Sequence, residues 1–83
     1  MIRKKIGDRI RELRVSKQYM NQDEFARKIG WDKAYLSRVE SGKQNLTIDN
    51  LIVICNGLHI SLNDFFSTFD KILINDGEDY NGK

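Results

Sequence analysis

Between Gln22 and Asn45 the chain sets cations and hydrogen-bonding side chains at short intervals. They are Gln22, Lys33, Tyr35, Ser37, Arg38, Lys43, Gln44 and Asn45, with the small apolar Ala34 among them. Such groups hold polar or anionic partners; by themselves they do not break bonds. Residues that would do so are scarce. With one histidine, His59, and one cysteine, Cys55, neither an internal disulfide nor a four-ligand Cys/His zinc site can form. No glycine-rich phosphate loop, nucleophile–base set or converging pair of acids is recognisable. The reading is a binding protein, not an enzyme, with no metal, cofactor or small-molecule ligand expected.

The net charge of +2 over 83 residues hides a division. Residues 1–45 hold 12 Lys and Arg against 6 Asp and Glu, and residues 46–83 hold 2 against 6. A basic half suits a polyanion and an acidic half something else; a solvated basic helix face would also explain the numbers. Hydrophobic residues make up 40% and charged residues 31%, and proline is absent. That composition, with helical apolar spacing, favours short helices over a β-sandwich. No apolar run approaches the ~18 residues of a membrane span, and no signal-peptide core follows Met1. A cytoplasmic protein with no membrane association is expected.

Positioning the polar run falls to the helices. Ile2, Ile6, Ile10 and Leu13 form a helical stripe over about residues 3–16, with Arg3, Lys4, Lys5, Arg9, Arg11 and Arg14 on its polar faces. Asn21 and Glu24 make a capping-box-like start for a second helix, whose inward residues are Phe25, Ala26 and Ile29 and whose stop is Gly30. Asp32 can cap a third helix with Leu36 and Val39 inward, ended by Gly42. Thr47 opens a fourth, with Leu51, Ile54, Cys55 and Leu58 on one side and Ile48, Ile52 and Val53 widening the apolar arc. Ser61, with Asp64 three residues on, opens a fifth that carries Leu62, Phe65, Phe66, Phe69, Ile72 and Leu73 on one stripe. From Asn75 the sequence NDGEDYNGK has no apolar partner except Tyr80, so an ordered all-α domain over 1–74 and a disordered acidic tail over 75–83 are expected.

Only Gly30-Trp31-Asp32 separates the second helix from the third. So short a link forces a sharp corner, as in a helix-turn-helix. Ala26 is small where the two helices approach, and Gly30 supplies positive φ. With Ile10-Arg11-x-Leu13-Arg14, Gln22-x-Glu24-x-Ala26-x-x-x-Gly30, Tyr35-Leu36-Ser37-x-Val39-Glu40-x-Gly42 and Ile60-Ser61-x-x-x-Phe65-Phe66, the chain resembles the lambda-repressor-like, or XRE, helix-turn-helix family over about residues 4–66. Within it, Asn45-Leu46-Thr47-Ile48 and Phe65-Phe66 are similar to the controller proteins of restriction–modification systems. The chain departs from the family pattern at Gln18-Tyr19-Met20-Asn21, where a glycine-serine type turn is usual. It departs again at Asn45-Leu46, where a proline often stands.

The resemblance implies a compact five-helix domain that binds double-stranded DNA as a transcriptional regulator. A third helix in the major groove would bring Lys33, Ala34, Ser37 and Arg38 to base edges, the cations to guanine O6/N7 and Ala34 to a thymine methyl. Tyr35 could reach a base or a phosphate. Gln22, at the first turn of the second helix, is placed to grip a phosphate, and Lys43, Gln44 and Asn45 to bracket the other strand. Arg11 and Arg14 are weaker candidates for outer phosphates. One such domain makes few contacts, so a homodimer on a palindromic operator is expected. Leu62, Phe66, Phe69 and Ile72 are the candidate interface. Trp31 reads as a turn anchor, Cys55 as core, Glu40 as the partner of an arginine, and His59 as a group at a helix C-terminus. A different class also fits the charge division: an antitoxin-type module whose acidic half neutralises a partner toxin.

Overall fold

The computed structural model describes residues 2–18 and 21–69. Five helices run α1 (Ile2–Ser16), α2 (Gln22–Ile29), α3 (Lys33–Glu40), α4 (Ile48–Leu58) and α5 (Leu62–Phe65), with no strand among the described residues. The expected boundary at residue 74, the tail 75–83 and Ile72 all lie outside the described residues.

Local chemistry sets most helix ends. Asn21 Oδ1 accepts the Glu24 N–H at 2.8 Å, Thr47 Oγ1 that of Asn50 at 3.1 Å, and Ser61 Oγ that of Asp64 at 2.9 Å, so α2, α4 and α5 each start on a side-chain cap. Asp32 stands at the N-cap of α3 without a side-chain cap hydrogen bond. Three helices stop in the same way. A left-handed residue follows, Gly30 (φ 77°), Gly42 (φ 81°) or His59 (φ 59°), and the next N–H reaches back five residues. Those bonds are Trp31 to Ala26 (2.8 Å), Lys43 to Arg38 (2.9 Å) and Ile60 to Cys55 (3.1 Å).

Packing joins α1 to α3 and α4, and α2 to α3 and α4. Ile10, Phe25, Ala26, Leu36, Val39, Leu51, Ile54, Cys55, Leu58, Phe65 and Phe69 form the buried core. Leu36 and Val39 face inward as their spacing predicts. The α1–α3 contact depends on Gly7. A Cβ there would meet the backbone carbonyl oxygens of Glu40 and, at 2.6 Å, Val39, so α1 lies directly on the last turn of α3. No described helix is long and apolar enough to cross a membrane.

Two expectations are corrected. The fifth helix does not continue along its apolar stripe; it has four residues and gives way to a turn over 66–68. Arg9 satisfies the carbonyls at this end. Its Nε and Nη2 donate to the carbonyls of Phe65 and Asp64, both at 2.9 Å, and Ser67 Oγ donates to Asp64 O at 2.8 Å. These are the carbonyls that a helix end leaves without a donor four residues on. Phe69, assigned to an intersubunit face, is instead 5% exposed. The turn folds its ring back to lie 6.1 Å from Phe65 and 5.1 Å from Phe66, within the protomer's own core. Along α4, Ile48 and Ile52 are 68% and 39% exposed, so the widened apolar arc extends beyond the buried face.

Candidate nucleic-acid interface

α3 divides its residues between two tasks. Leu36, Val39 and Glu40 are buried, whereas Lys33, Ala34 and Arg38 are exposed, with Tyr35 and Ser37 half-buried between them. The exposed set begins at the first helical residue, so the amino-terminal end of α3 presents a cation, a methyl group and further donors on one side. Arg38 lies over the Tyr35 ring, 5.8 Å from its centroid, and Trp31 meets the same ring edge-on at 4.8 Å. Trp31 is thus the half-buried anchor of the turn, as expected.

The loop after α3 adds to this side. Gln44 Oε1 accepts from Arg38 Nε at 3.3 Å, which ties the loop to the helix. Asn45 Oδ1 accepts from Arg3 Nη1 at 3.0 Å, and Lys43 is exposed beside them. Arg3 therefore joins the group, although sequence reasoning left it among the solvated charges. Its position at the start of α1, brought next to the loop by the α1–α3 contact, is a tertiary fact that no spacing rule carries.

Gln22 is the first residue of α2 and is half-buried. Its Nε2 donates to Glu40 Oε1 at 2.9 Å, so α3 itself holds the amide in place. Glu40 also receives Arg14: Nε donates to Oε2 at 2.8 Å and Nη2 to Oε1 at 3.1 Å, with the two side chains 4% and 3% exposed. Glu40 holds an arginine, as expected. Arg14, a candidate phosphate contact, is corrected: it is interior, locking α1 to α3. The signal was available, since Arg14 follows Ile10 by four residues and so continues the apolar stripe. Arg11 remains on the exposed side. With Lys4, Gln22 and Ser37 it borders one shallow depression, which Asp8 and Glu40 also line.

Cys55 and His59 both have structural places in α4 and at its end. Cys55 is buried in the α4 core, and burial pushes its thiol above the ordinary range, away from the reactive thiolate. His59 is used by the backbone as a left-handed stop, with Lys28 Nζ 3.4 Å from its Nε2. No group of three or more potential metal-ligating side chains converges among the described residues. Of the proposed interface residues, Leu62 is 41% exposed and Phe66 half-buried.

Helices packed in this order, with the α2–α3 corner and an outward polar face on α3, define a helix-turn-helix protein. The chain belongs to the helix-turn-helix family, whose model matches residues 10–65; its members are transcriptional regulators, not enzymes. The chain is 37% identical over 70 residues to the control protein C.MunI of a Mycoplasma species, an alignment covering 84% of this chain and 95% of that one. The crystal structure of the wild-type restriction–modification controller protein C.Esp1396I superposes with a TM-score of 0.75 at 34% identity, covering 86% of this chain and 92% of that one. The C.Esp1396I tetramer in complex with its natural 35-base-pair operator gives 0.72 at 34% identity, covering 82% and 88%.

Proposed function

We propose that the protein is a homodimeric, sequence-specific transcriptional regulator that reads a palindromic operator and controls restriction–modification genes in the bacterial cytoplasm. The observation that carries this reading is the outward face of α3, Lys33, Ala34, Ser37 and Arg38, in a chain 34% identical to a controller whose operator complex is known. In it, Lys33 and Arg38 donate to guanine edges, Ala34 touches a thymine methyl, and Ser37 and Tyr35 complete the groove side. Gln22 grips a phosphate with an amide already oriented by Glu40, and Lys43, Gln44 and Asn45 bracket the opposite strand. Residues 1–74 form the unit that binds and dimerises.

The dimer surface is reassigned to side chains the protomer leaves open. Ile48 and Ile52 lie one turn apart on α4, and Leu62 and Phe66 are at least partly accessible on and after α5. Burying such side chains contributes roughly 1.5–3 kcal/mol each, enough for a modest dimer once the cost of association is met.

Selection of duplexes from a randomised library, followed by binding titrations with purified protein, tests the whole reading. A recovered motif with two-fold symmetry and half-sites about one helical turn apart is the expected result. Recovery of no motif, with weak binding equal for all duplexes, would refute it.

A further inference from the structure

Asn50 makes a contact that the reading above does not use. Its Nδ2 donates to the Tyr35 hydroxyl oxygen at 3.1 Å, joining the start of α4 to α3 across fifteen positions of sequence. Both side chains are half-buried. Asn50 is itself anchored, because its backbone N–H is held by the Thr47 cap at 3.1 Å. The phenol ring is held as well, by the Trp31 edge at 4.8 Å and the Arg38 guanidinium at 5.8 Å.

A tyrosine hydroxyl has one proton to give and lone pairs to receive one. An amide N–H directed into a lone pair leaves the phenolic proton for another acceptor, and polarises the O–H toward it. Duplex DNA offers acceptors of two sources on this side, phosphate oxygens and base-edge N7, O6 or O4 atoms. A hydroxyl with no fixed neighbour would sample several orientations before binding; this one is set beforehand.

We propose that Asn50 is a positioning residue for DNA binding: its amide fixes the Tyr35 hydroxyl as a donor toward an acceptor on the duplex. The inference rests on α3 being the reading helix. It also makes α4, which carries the proposed dimer surface, part of the reading apparatus through one side chain.

The test uses full-length protein and the duplex recovered by the library selection. Asn50→Asp puts an acceptor where the donor stood, so that Tyr35 donates inward and its proton is lost to the DNA. The change also brings a negative charge nearer the phosphates, and Tyr35→Phe separates the two effects. Asn50→Asp is expected to weaken binding about tenfold more in the presence of the Tyr35 hydroxyl than in the Tyr35→Phe background, where only the charge effect remains. Asn50→Ser, which keeps a donor but shortens the reach, should fall between. Thermal melts of each variant establish that it is folded, and acidic residues near a helix start are tolerated well. Equal losses with and without the hydroxyl would overturn the proposal. So would Tyr35→Phe binding like the wild type while Lys33→Ala still loses affinity, a result that leaves the α3 reading standing. Wild-type binding by both Lys33→Ala and Arg38→Ala would instead overturn the reading on which it rests. Loss spread evenly over all duplexes identifies a phosphate acceptor; loss confined to one base position identifies a base.

Discussion

Removing the Glu40 carboxylate is expected to be among the most damaging single changes in the molecule. Arg14 and Glu40 are 4% and 3% exposed and meet through two hydrogen bonds of 2.8 and 3.1 Å. In Glu40→Ala the Arg14 guanidinium stays interior without its counter-charge, and the Gln22 amide loses its acceptor. Breaking one side of such a pair costs about 3–5 kcal/mol. A domain of this size has roughly 4–12 kcal/mol of stability in all, so the variant keeps between most of its stability and none. The midpoint should fall by at least about 12 °C, taking roughly 4 °C per kcal/mol as the lower bound. Replacing both partners, as in Arg14→Met with Glu40→Leu, removes the stranded charge and should cost less than Glu40→Ala alone. Urea denaturation followed by circular dichroism, with the fluorescence of the single Trp31 as a second probe, measures both variants. A loss below about 1 kcal/mol in Glu40→Ala, the range of an exposed ion pair, would refute the reasoning: the carboxylate would then be hydrated, not structural.

Other outcomes follow from the same geometry. Lys33→Ala and Arg38→Ala should each weaken binding by roughly 1–3 kcal/mol and relax preference at one or two base positions, whereas Gln22→Ala should weaken binding evenly across sequences; profiles over the randomised library separate the two patterns. Ile52→Glu combined with Leu62→Glu should give a folded monomer with lowered apparent DNA affinity, read by sedimentation at tens of micromolar, and an unchanged dimer would place the interface elsewhere. His59→Gly should raise stability by up to about 1 kcal/mol, because φ 59° costs an L-residue what glycine does not pay; a fall in the urea midpoint would show that the Lys28 contact matters more.

Features decided within a few residues were legible in the sequence. The caps Asn21, Thr47 and Ser61 and the stops Gly30 and Gly42 are of this kind, since each is a bond between near neighbours. The inward pair Leu36 and Val39 was legible too, because the short turn leaves α3 one way to meet α2. The end of α5 was not. The stripe from Leu62 to Leu73 reads as unbroken helix, and the donors that hold the carbonyls at its actual end come from Arg9, more than fifty positions earlier. His59 does not read as a left-handed stop, because glycine and asparagine are the usual residues there. Arg3 and Arg14 show the same limit on the site itself: among the cations of α1, tertiary packing decides which is interior and which lies beside the α3–α4 loop.

The division of α3 into an inner and an outer set has a consequence for how such a protein changes over generations. Gly7, Leu36, Val39 and Glu40 hold the scaffold, and any replacement there is felt throughout the core. Lys33, Ala34 and Arg38 lie outside that core, although Arg38 also meets Tyr35 and Gln44. Substitution at those three positions should cost little folding free energy, as for other exposed positions, and with α3 as the proposed reading helix it would alter which bases are met. On the proposed reading, recognition can therefore drift without a toll on folding, and a copied gene can acquire a new operator in a few single steps, each one leaving a folded protein behind it.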